Sequence, residues 1–260
     1  MALMNKLLGK RALVTAGAQG IGLAISRHLL RAGCDVFVHY RTSAASAQAL
    51  AGEANALGRR CGSASGDLME TKECDRIVAS AVQFLGGLDV LVNNAGSLVG
   101  RQAFAEADDQ YWAEIMSLNL GSMRKVTRAA VPHLAAAAKA GGGASIVNLS
   151  SIAARNGGGP GAVAYATAKG AMLTLTRGLA RELAPLGIRV NALAPGLILG
   201  SRFHEQHTAP EAQRATIATI PLGRAGTLDD VARAAVFLAG EFDGFITGAA
   251  LDINGGVYGA

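Results

Sequence analysis

Three features of the sequence predict an α/β fold built on a parallel sheet. Short apolar segments alternate with helical patterns along all 260 residues, as expected of strands joined by crossover helices. Several of those segments are mainly apolar, a composition that marks strands buried on both faces; Gly-Leu-Asp-Val-Leu-Val at 87–92 is one. Glycine and asparagine clusters follow the segments, at what become strand carboxyl ends, where open α/β sheets take their ligands. Half of the residues are apolar, enough to bury a large core as one domain over 1–260. Internal repeats, linkers and low-complexity tails are not expected.

The net charge of +5 comes from 24 basic and 19 acidic residues. The basic residues are scattered, with no Lys/Arg-rich run, so nucleic acid is not an expected partner. The balance suits attraction of a small anion instead. Cys34, Cys61 and Cys74 show no metal-site or C-x-x-C spacing and read as buried small hydrophobes in a reducing compartment. Residues 1–11 lack the apolar run and cleavage site of a signal peptide, and no run of 18 apolar residues occurs. The expectation is a cytoplasmic protein with no membrane span.

Residues 11–15 form the first predicted strand. Ala16, Gly17, Ala18, Gln19, Gly20, Ile21 and Gly22 follow, and a helix runs over 23–31. Strand, glycine turn and helix together suit close approach of a pyrophosphate to a helix N-terminus, where unpaired N–H groups and the helix dipole favour anions. A second strand covers 35–39 and runs into Tyr40, Arg41, Thr42 and Ser43. An acid at this strand end would bind the 2′-hydroxyl of NAD; Arg41 would instead meet the 2′-phosphate of NADP, or be an ordinary solvated arginine. A helix over 43–57 and a weak strand over 60–65 lead to Gly66, Asp67 and Leu68. Asp67 would accept from an adenine amino group or cap the next helix, 71–85. The strand at 87–92 ends in Asn93, Asn94, Ala95 and Gly96, a composition that suits a ligand crevice or a plain turn.

A long helical region spans 108–138, with a break expected near Gly121 and a kink at Pro132. Asn119 lies inside it, and an asparagine in a helix interior either faces solvent or has work for its amide. A strand over 145–149 leads to Ser151, and a helix over 162–184 carries Tyr165 and Lys169. Residues four apart share a helix face, so the phenol and the ammonium meet on one surface. The positive neighbour is expected to lower the tyrosine pKa, making Tyr165 an acid/base for an alcohol or carbonyl oxygen, with Ser151 bonded to the same oxygen. A strand over 187–193 ends at Ala194, Pro195 and Gly196. Residues 197–225 show the least periodicity and form the candidate lid over the crevice. A helix over 227–238, capped by Thr227, and a strand over 249–253 complete the chain.

Two familiar chemistries are excluded. His204 and His207 flank Glu205 and Gln206, one residue short of the zinc-protease motif, so no metal is expected. Ser151 lies in no G-x-S-x-G elbow, which removes the main support for a hydrolase.

Taken in order, these motifs resemble the short-chain dehydrogenase/reductase family in its 250-residue single-domain form. They are TAGAQGIG at 15–22, Asp67, NNAG at 93–96, Asn119 in SLNL, LSS at 149–151, YATAK at 165–169, RVNALAPG at 189–196 and LDINGG at 251–256. The resemblance covers nearly the whole chain, and so many motifs in sequence order are highly specific. It implies a Rossmann fold with a seven-stranded parallel sheet and helices on both faces, and hydride transfer with a nicotinamide dinucleotide. Tyr165 would then be the acid/base, and Lys169 would bind the nicotinamide ribose and tune the tyrosine. Ser151 would hold the substrate oxygen, and Asn119 would anchor a water in a proton relay through Lys169. Gly17, Gln19, Gly20, Ile21 and Gly22 would hold the pyrophosphate, with Asp67 and Leu68 flanking adenine. Asn93 to Gly96, Ala95 included, would line the cofactor cleft, and Pro195, Gly196 and Ile198 would approach the nicotinamide. A homo-oligomer, tetramer or dimer, built on the helices near 108–138 and 162–184, is also implied.

The sequence departs from the family pattern in four places. Ala16 occupies the usual first glycine of the phosphate turn, and the Ser151-to-Tyr165 spacing is one residue longer than in many members. Gly200 and Ser201 replace a common threonine, and Gly142 and Leu186 stand where arginines would dock acyl carrier protein. The expectation is therefore an NADP(H)-dependent oxidoreductase interconverting a secondary alcohol and a ketone. An NAD-dependent sugar or polyol dehydrogenase is the alternative, and a non-catalytic dinucleotide-binding regulator is the alternative of another class.

Overall fold

The computed structural model describes residues 7–201, 208–240 and 244–259. Seven strands form one sheet in the order β3-β2-β1-β4-β5-β6-β7, every pairing parallel. The strands are β1 (Arg11–Val14), β2 (Asp35–Tyr40), β3 (Cys61–Ser65), β4 (Val90–Asn93), β5 (Ala144–Leu149), β6 (Ile188–Pro195) and β7 (Ala250–Ile253). The chain runs outward from β1 to β3 and then returns to the other side of β1 to lay down β4. That reversal opens a crevice at the carboxyl ends of β1 and β4. The Rossmann α/β fold expected from the sequence is the fold observed.

Both faces of the sheet are covered. On one face α1 (Gly20–Arg31), α2 (Ala44–Ala56) and α9 (Leu228–Ala239) bury Leu29, Leu50, Val231 and Leu238 against Val36 and Val92. On the other, α3 (Thr71–Leu85), α5 (Ser122–Ala137) and α7 (Val163–Leu183) bury Ile77, Val126 and Ala180 against Leu91, Ile146 and Val190. Strand β5 is buried at every position, its polar Ser145 and Asn148 satisfied by hydrogen bonds to the Leu238 carbonyl and to Asn93 and Thr176. A smaller cluster joins α4 (Asp109–Met116), through Tyr111 and Ile115, and the short α6 (Ala153–Asn156), through Ala153, to Tyr165 and the small alanines of α7.

The predicted strands lie within three residues of those observed. The expected break near Gly121 is instead a π turn, Ser117–Gly121, that carries Asn119 between α4 and α5, and Pro132 sits within α5. Residues 197–225 are not without structure: α8 (Pro210–Thr219) lies inside them and has no buried residue, so no apolar period marks it. Thr227 caps α9 as expected, in a reciprocal pair with Asp230. His204, Glu205, Gln206 and His207 lie outside the described residues. Among the described residues no group of three or more His, Cys, Asp or Glu side chains could hold a metal, and no helix is long and apolar enough to cross a membrane.

Candidate active site

Strand β1 ends beside β4, and Thr15 ties the two ends together. Its hydroxyl oxygen accepts from the N–H groups of Asn94 (2.9 Å) and Ala95 (3.0 Å). The Asn94 amide donates back to the carbonyls of Thr15 (3.1 Å) and Ala16 (3.2 Å). The turn that follows is tight. A Cβ on Gly22 would lie 2.2 Å from the Ala16 carbonyl oxygen, so only glycine fits there. Ala16 itself holds φ at +48°, the left-handed region that a side chain disfavours.

His39, unremarked as a site residue in the sequence, clamps this turn from β2. Its Nδ1 accepts from the Ala16 N–H (3.1 Å), and its Nε2 lies 3.0 Å from the Gly66 carbonyl. A backbone N–H can only donate and a carbonyl can only accept, so the proton sits on Nε2. Burial pushes the His39 pKa below its ordinary value. Helix α1 starts at Gly20 without a side-chain cap and without an acid in its first turn. Its first N–H groups face the cleft with the positive end of the dipole, a donor set that fits a pyrophosphate.

At the end of β2, Arg41 is exposed and has no hydrogen-bond or ion-pair partner among the described residues. Ser43 donates to the Gln19 side chain (3.1 Å), which joins this loop to the phosphate turn. Asp67 does not cap α3. Its carboxylate accepts from the Met69 N–H (2.9 Å), and the N-cap of α3 is Glu70. Leu68 is buried in the core against α3 rather than open to the main cleft.

Ser151, Tyr165 and Lys169 gather in the cleft beyond β4 and β5. The Ser151 hydroxyl, just past β5, accepts from the Ala153 N–H (3.1 Å) and hydrogen-bonds to Tyr165. Lys169, one turn along α7, lies with its Nζ 5.6 Å from the centre of the Tyr165 ring and donates to the Leu149 carbonyl (2.7 Å). Both side chains are buried. Burial pushes the Tyr165 phenol up to about 12, and the Ser151 bond opposes it only in part. Burial also brings the Lys169 ammonium down to about 8. The expected lowering of the tyrosine is therefore not what this geometry produces, because loss of water costs the phenolate more than its neighbours return.

Asn119 is fully buried, and its amide does have work. Its two N–H groups donate to the carbonyls of Ser97 (2.8 Å) and Ile115 (3.0 Å), and its oxygen accepts from the Ser97 N–H (3.1 Å). Gly96 lies between it and the lysine: a Cβ there would be 2.6 Å from the Asn119 oxygen and 3.1 Å from Lys169 Nζ.

A cleft of about 880 Å³ takes in Gln19, Gly20, Ile21, Gly96, Ser151, Tyr165, Lys169, Pro195, Gly196 and Ile198, all expected from the sequence. Gly17 and Gly22 are buried beneath the turn, and Arg41, Asp67, Leu68, Ala95 and Asn119 do not line this cleft. Asn93 was expected there and is not. Its side chain points into the core, where it donates to Thr127 (3.0 Å) and Asn148 (2.9 Å). The cleft residue is Asn94, because side chains alternate at the strand end. Leu98 and Arg101 also line the cleft, and no motif in the sequence marked them.

The fold thus gathers a serine, a tyrosine and a lysine in one cleft. Residues 15–258 match the family described as enoyl-(acyl carrier protein) reductase, a short-chain dehydrogenase type. An uncharacterized oxidoreductase of Methylorubrum extorquens is 36% identical over 98% of this chain and 100% of its own. A 3-oxoacyl-[acyl-carrier-protein] reductase of Staphylococcus aureus is 34% identical over 96% of this chain and 98% of its own. The solved structure of an NADH-dependent reductase in complex with NAD is 36% identical, covers 99% of this chain and 100% of its own, and superposes with a TM-score of 0.88. The chain belongs to the short-chain dehydrogenase/reductase family and is an oxidoreductase of that family.

Proposed function

We propose that the protein is an NADP(H)-dependent oxidoreductase that interconverts a secondary alcohol and a ketone. The observation that carries this reading is the meeting of Ser151, Tyr165 and Lys169 in the cleft that also holds the uncapped start of α1. A bound nicotinamide dinucleotide would supply or take the hydride there. Gln19, Gly20 and Ile21 would hold its pyrophosphate, with Gly17 and Gly22 letting the turn close beneath it. Arg41 would pair with the 2′-phosphate, Asp67 and Leu68 would border the adenine, and Ala95, Gly96, Pro195, Gly196 and Ile198 would flank the nicotinamide half.

Ser151 orients the reacting oxygen by a hydrogen bond. Tyr165 donates its proton to that oxygen in reduction and, as phenolate, accepts it in oxidation. The Lys169 ammonium lies close enough to favour the phenolate once charge develops. Both Asn119 amide hydrogens are committed to carbonyls, so in a relay toward Lys169 it would hold a water only through an acceptor oxygen. Residues 1–260 act as one dinucleotide-binding and catalytic unit, with 197–225 as the substrate lid and α5 and α7 as the faces of a homo-oligomer, tetramer or dimer.

A second reading has support in the NADH-dependent reductase quoted above: an NAD-dependent sugar or polyol dehydrogenase, with Arg41 merely solvated. The test is oxidation of NADPH or NADH by purified protein over a panel of ketones, beside Tyr165→Phe. Turnover lost by roughly a hundredfold or more in the variant supports Tyr165 as the acid/base. Tight dinucleotide binding with no turnover in wild type would point to a non-catalytic binding protein.

A further inference from the structure

Strand β2 lies between β1 and β3 in the sheet, and the ring of His39 reaches the end of each neighbour. It is buried, and both of its nitrogens are engaged by main chain: Nδ1 by the Ala16 N–H (3.1 Å), Nε2 by the Gly66 carbonyl (3.0 Å). Ala16 lines the cleft in the turn after β1, and Gly66 directly precedes Asp67 after β3. Backbone bonds run beside the ring, from the Gly17 N–H to the His39 carbonyl (2.9 Å) and from the Gly66 N–H to the Tyr40 carbonyl (3.1 Å). The imidazole thus joins the phosphate turn to the loop that follows β3.

The Ala16 peptide is where that join matters. Its φ of +48° is disfavoured for a residue with a Cβ, so neighbours must hold it. Asn94 grips its carbonyl at 3.2 Å, and His39 grips its N–H. Only a neutral ring can do so. An imidazolium carries a proton on each nitrogen, so Nδ1–H would face the Ala16 N–H, donor against donor. Whichever of the two turned away, the clamp would break.

The charged groups around the ring are Asp67, from the loop after β3, and Glu73 and Arg76, from α3. Glu73 and Arg76 pair with each other at 2.6 Å, and the turn at 15–22 carries no ionisable side chain. Burial outweighs these neighbours and holds the ring below its ordinary pKa, which leaves it neutral at pH 7.

We infer that His39 is a positioning residue for the dinucleotide: its neutral ring holds the Ala16 peptide in the form that receives the pyrophosphate, and a proton on the ring competes with dinucleotide binding. This rests on the dinucleotide reading above. A bound anion favours the imidazolium by its charge, but acts across the turn, whereas the opposed N–H groups would meet directly. By linkage, affinity falls as the ring takes up its proton, and binding expels that proton.

The test is calorimetric binding of NAD and NADP from pH 8 to pH 5 by wild type, His39→Asn and His39→Leu, with circular dichroism confirming the fold at each pH. Asparagine offers an acceptor near the place of Nδ1 but does not titrate; leucine offers none. Wild type should lose about threefold or more in affinity for NAD toward pH 5. His39→Asn should bind within about threefold of wild type at pH 8 and show no such loss, and His39→Leu should bind about tenfold more weakly at pH 8. The 2′-phosphate of NADP itself titrates near about pH 6, so with NADP the difference between wild type and His39→Asn is the readout. Heats in two buffers of different ionisation enthalpy should show wild type releasing protons as it binds NAD between pH 5 and pH 6. If a variant fails to fold, this measurement decides alone, and proton uptake or no exchange overturns the inference. A pH profile shared by wild type and His39→Asn, or His39→Leu binding as tightly as wild type, overturns it and leaves the dinucleotide reading intact. Failure of wild type to bind either dinucleotide at any pH sinks both.

Discussion

Lys169 stands one helical turn from Tyr165, its ammonium 5.6 Å from the centre of the phenol ring and bonded to the Leu149 carbonyl at 2.7 Å. The pair is buried, and burial moves the two groups in opposite directions from their ordinary values, the phenol to about 12 and the ammonium to about 8. Each shift disfavours the charged form, which is the desolvation signature.

The lysine shift sets a pH dependence of stability. Lys169 is depressed in the folded chain, so between about 8 and 10.5 the unfolded chain holds a proton that the folded chain has lost. Stability from this group therefore rises with pH across that window, and below it the buried charge carries a constant cost on the order of 3 kcal/mol. Lys169→Met removes the charge but also the donor to Leu149, worth about 1 kcal/mol. Urea denaturation should find the variant more stable than wild type at pH 7, with the gap closing toward pH 10. A constant gap would contradict the assignment.

Ala16 holds a left-handed backbone at φ +48°, where a Cβ costs about 1–2 kcal/mol and glycine costs none. Glycine gives back part of that through the greater freedom of the unfolded chain, about 0.5–1 kcal/mol. Ala16→Gly should raise stability by roughly 0.5–1 kcal/mol, read as a higher Tm, with dinucleotide binding retained. A lower Tm would show that the turn is not strained.

Gly22→Ala should do the reverse. The new methyl would meet the Ala16 carbonyl oxygen at 2.2 Å, a backbone contact that cannot swing away. A loss of about 1–3 kcal/mol and a weakened dinucleotide complex are expected from the displaced turn, by denaturant titration and fluorescence binding.

His39 makes the phosphate turn acid-sensitive. Its pKa lies below the ordinary value, so as pH falls the unfolded chain takes up this proton before the folded chain does. Stability is lost as pH falls below about 6.5. His39→Gln should flatten that part of the profile, while weakening dinucleotide binding through the lost contacts to Ala16 and Gly66. An unchanged acid limb would place the sensitivity elsewhere.

Much of this was legible in the residues because helix and strand periods are simple. The spacing of Tyr165 and Lys169 put them on one face of α7, and the mainly apolar segments announced buried parallel strands. What escaped depended on tertiary surroundings. Asn93 and Asn94 are adjacent and alike, and which one faces the cleft is a matter of strand parity that composition does not show. The direction of the Tyr165 shift follows from full burial, which a helix wheel cannot reveal. Helix α8 buries no residue and so left no apolar period. Arg101 sits in a motifless polar loop, and its place becomes visible only when the β4 loop meets the glycine-rich loop before α7.

The most direct test of the central proposal is a titration of the purified protein with NADPH and NADH, followed by nicotinamide fluorescence, on wild type and Arg41→Ala. Wild type should bind NADPH more tightly, and the variant should lose about tenfold or more in NADPH affinity with little change toward NADH, as expected for loss of a charge-assisted phosphate contact. Equal or tighter binding of NADH by wild type, unaffected by Arg41→Ala, would contradict the NADP assignment and favour the NAD-dependent dehydrogenase.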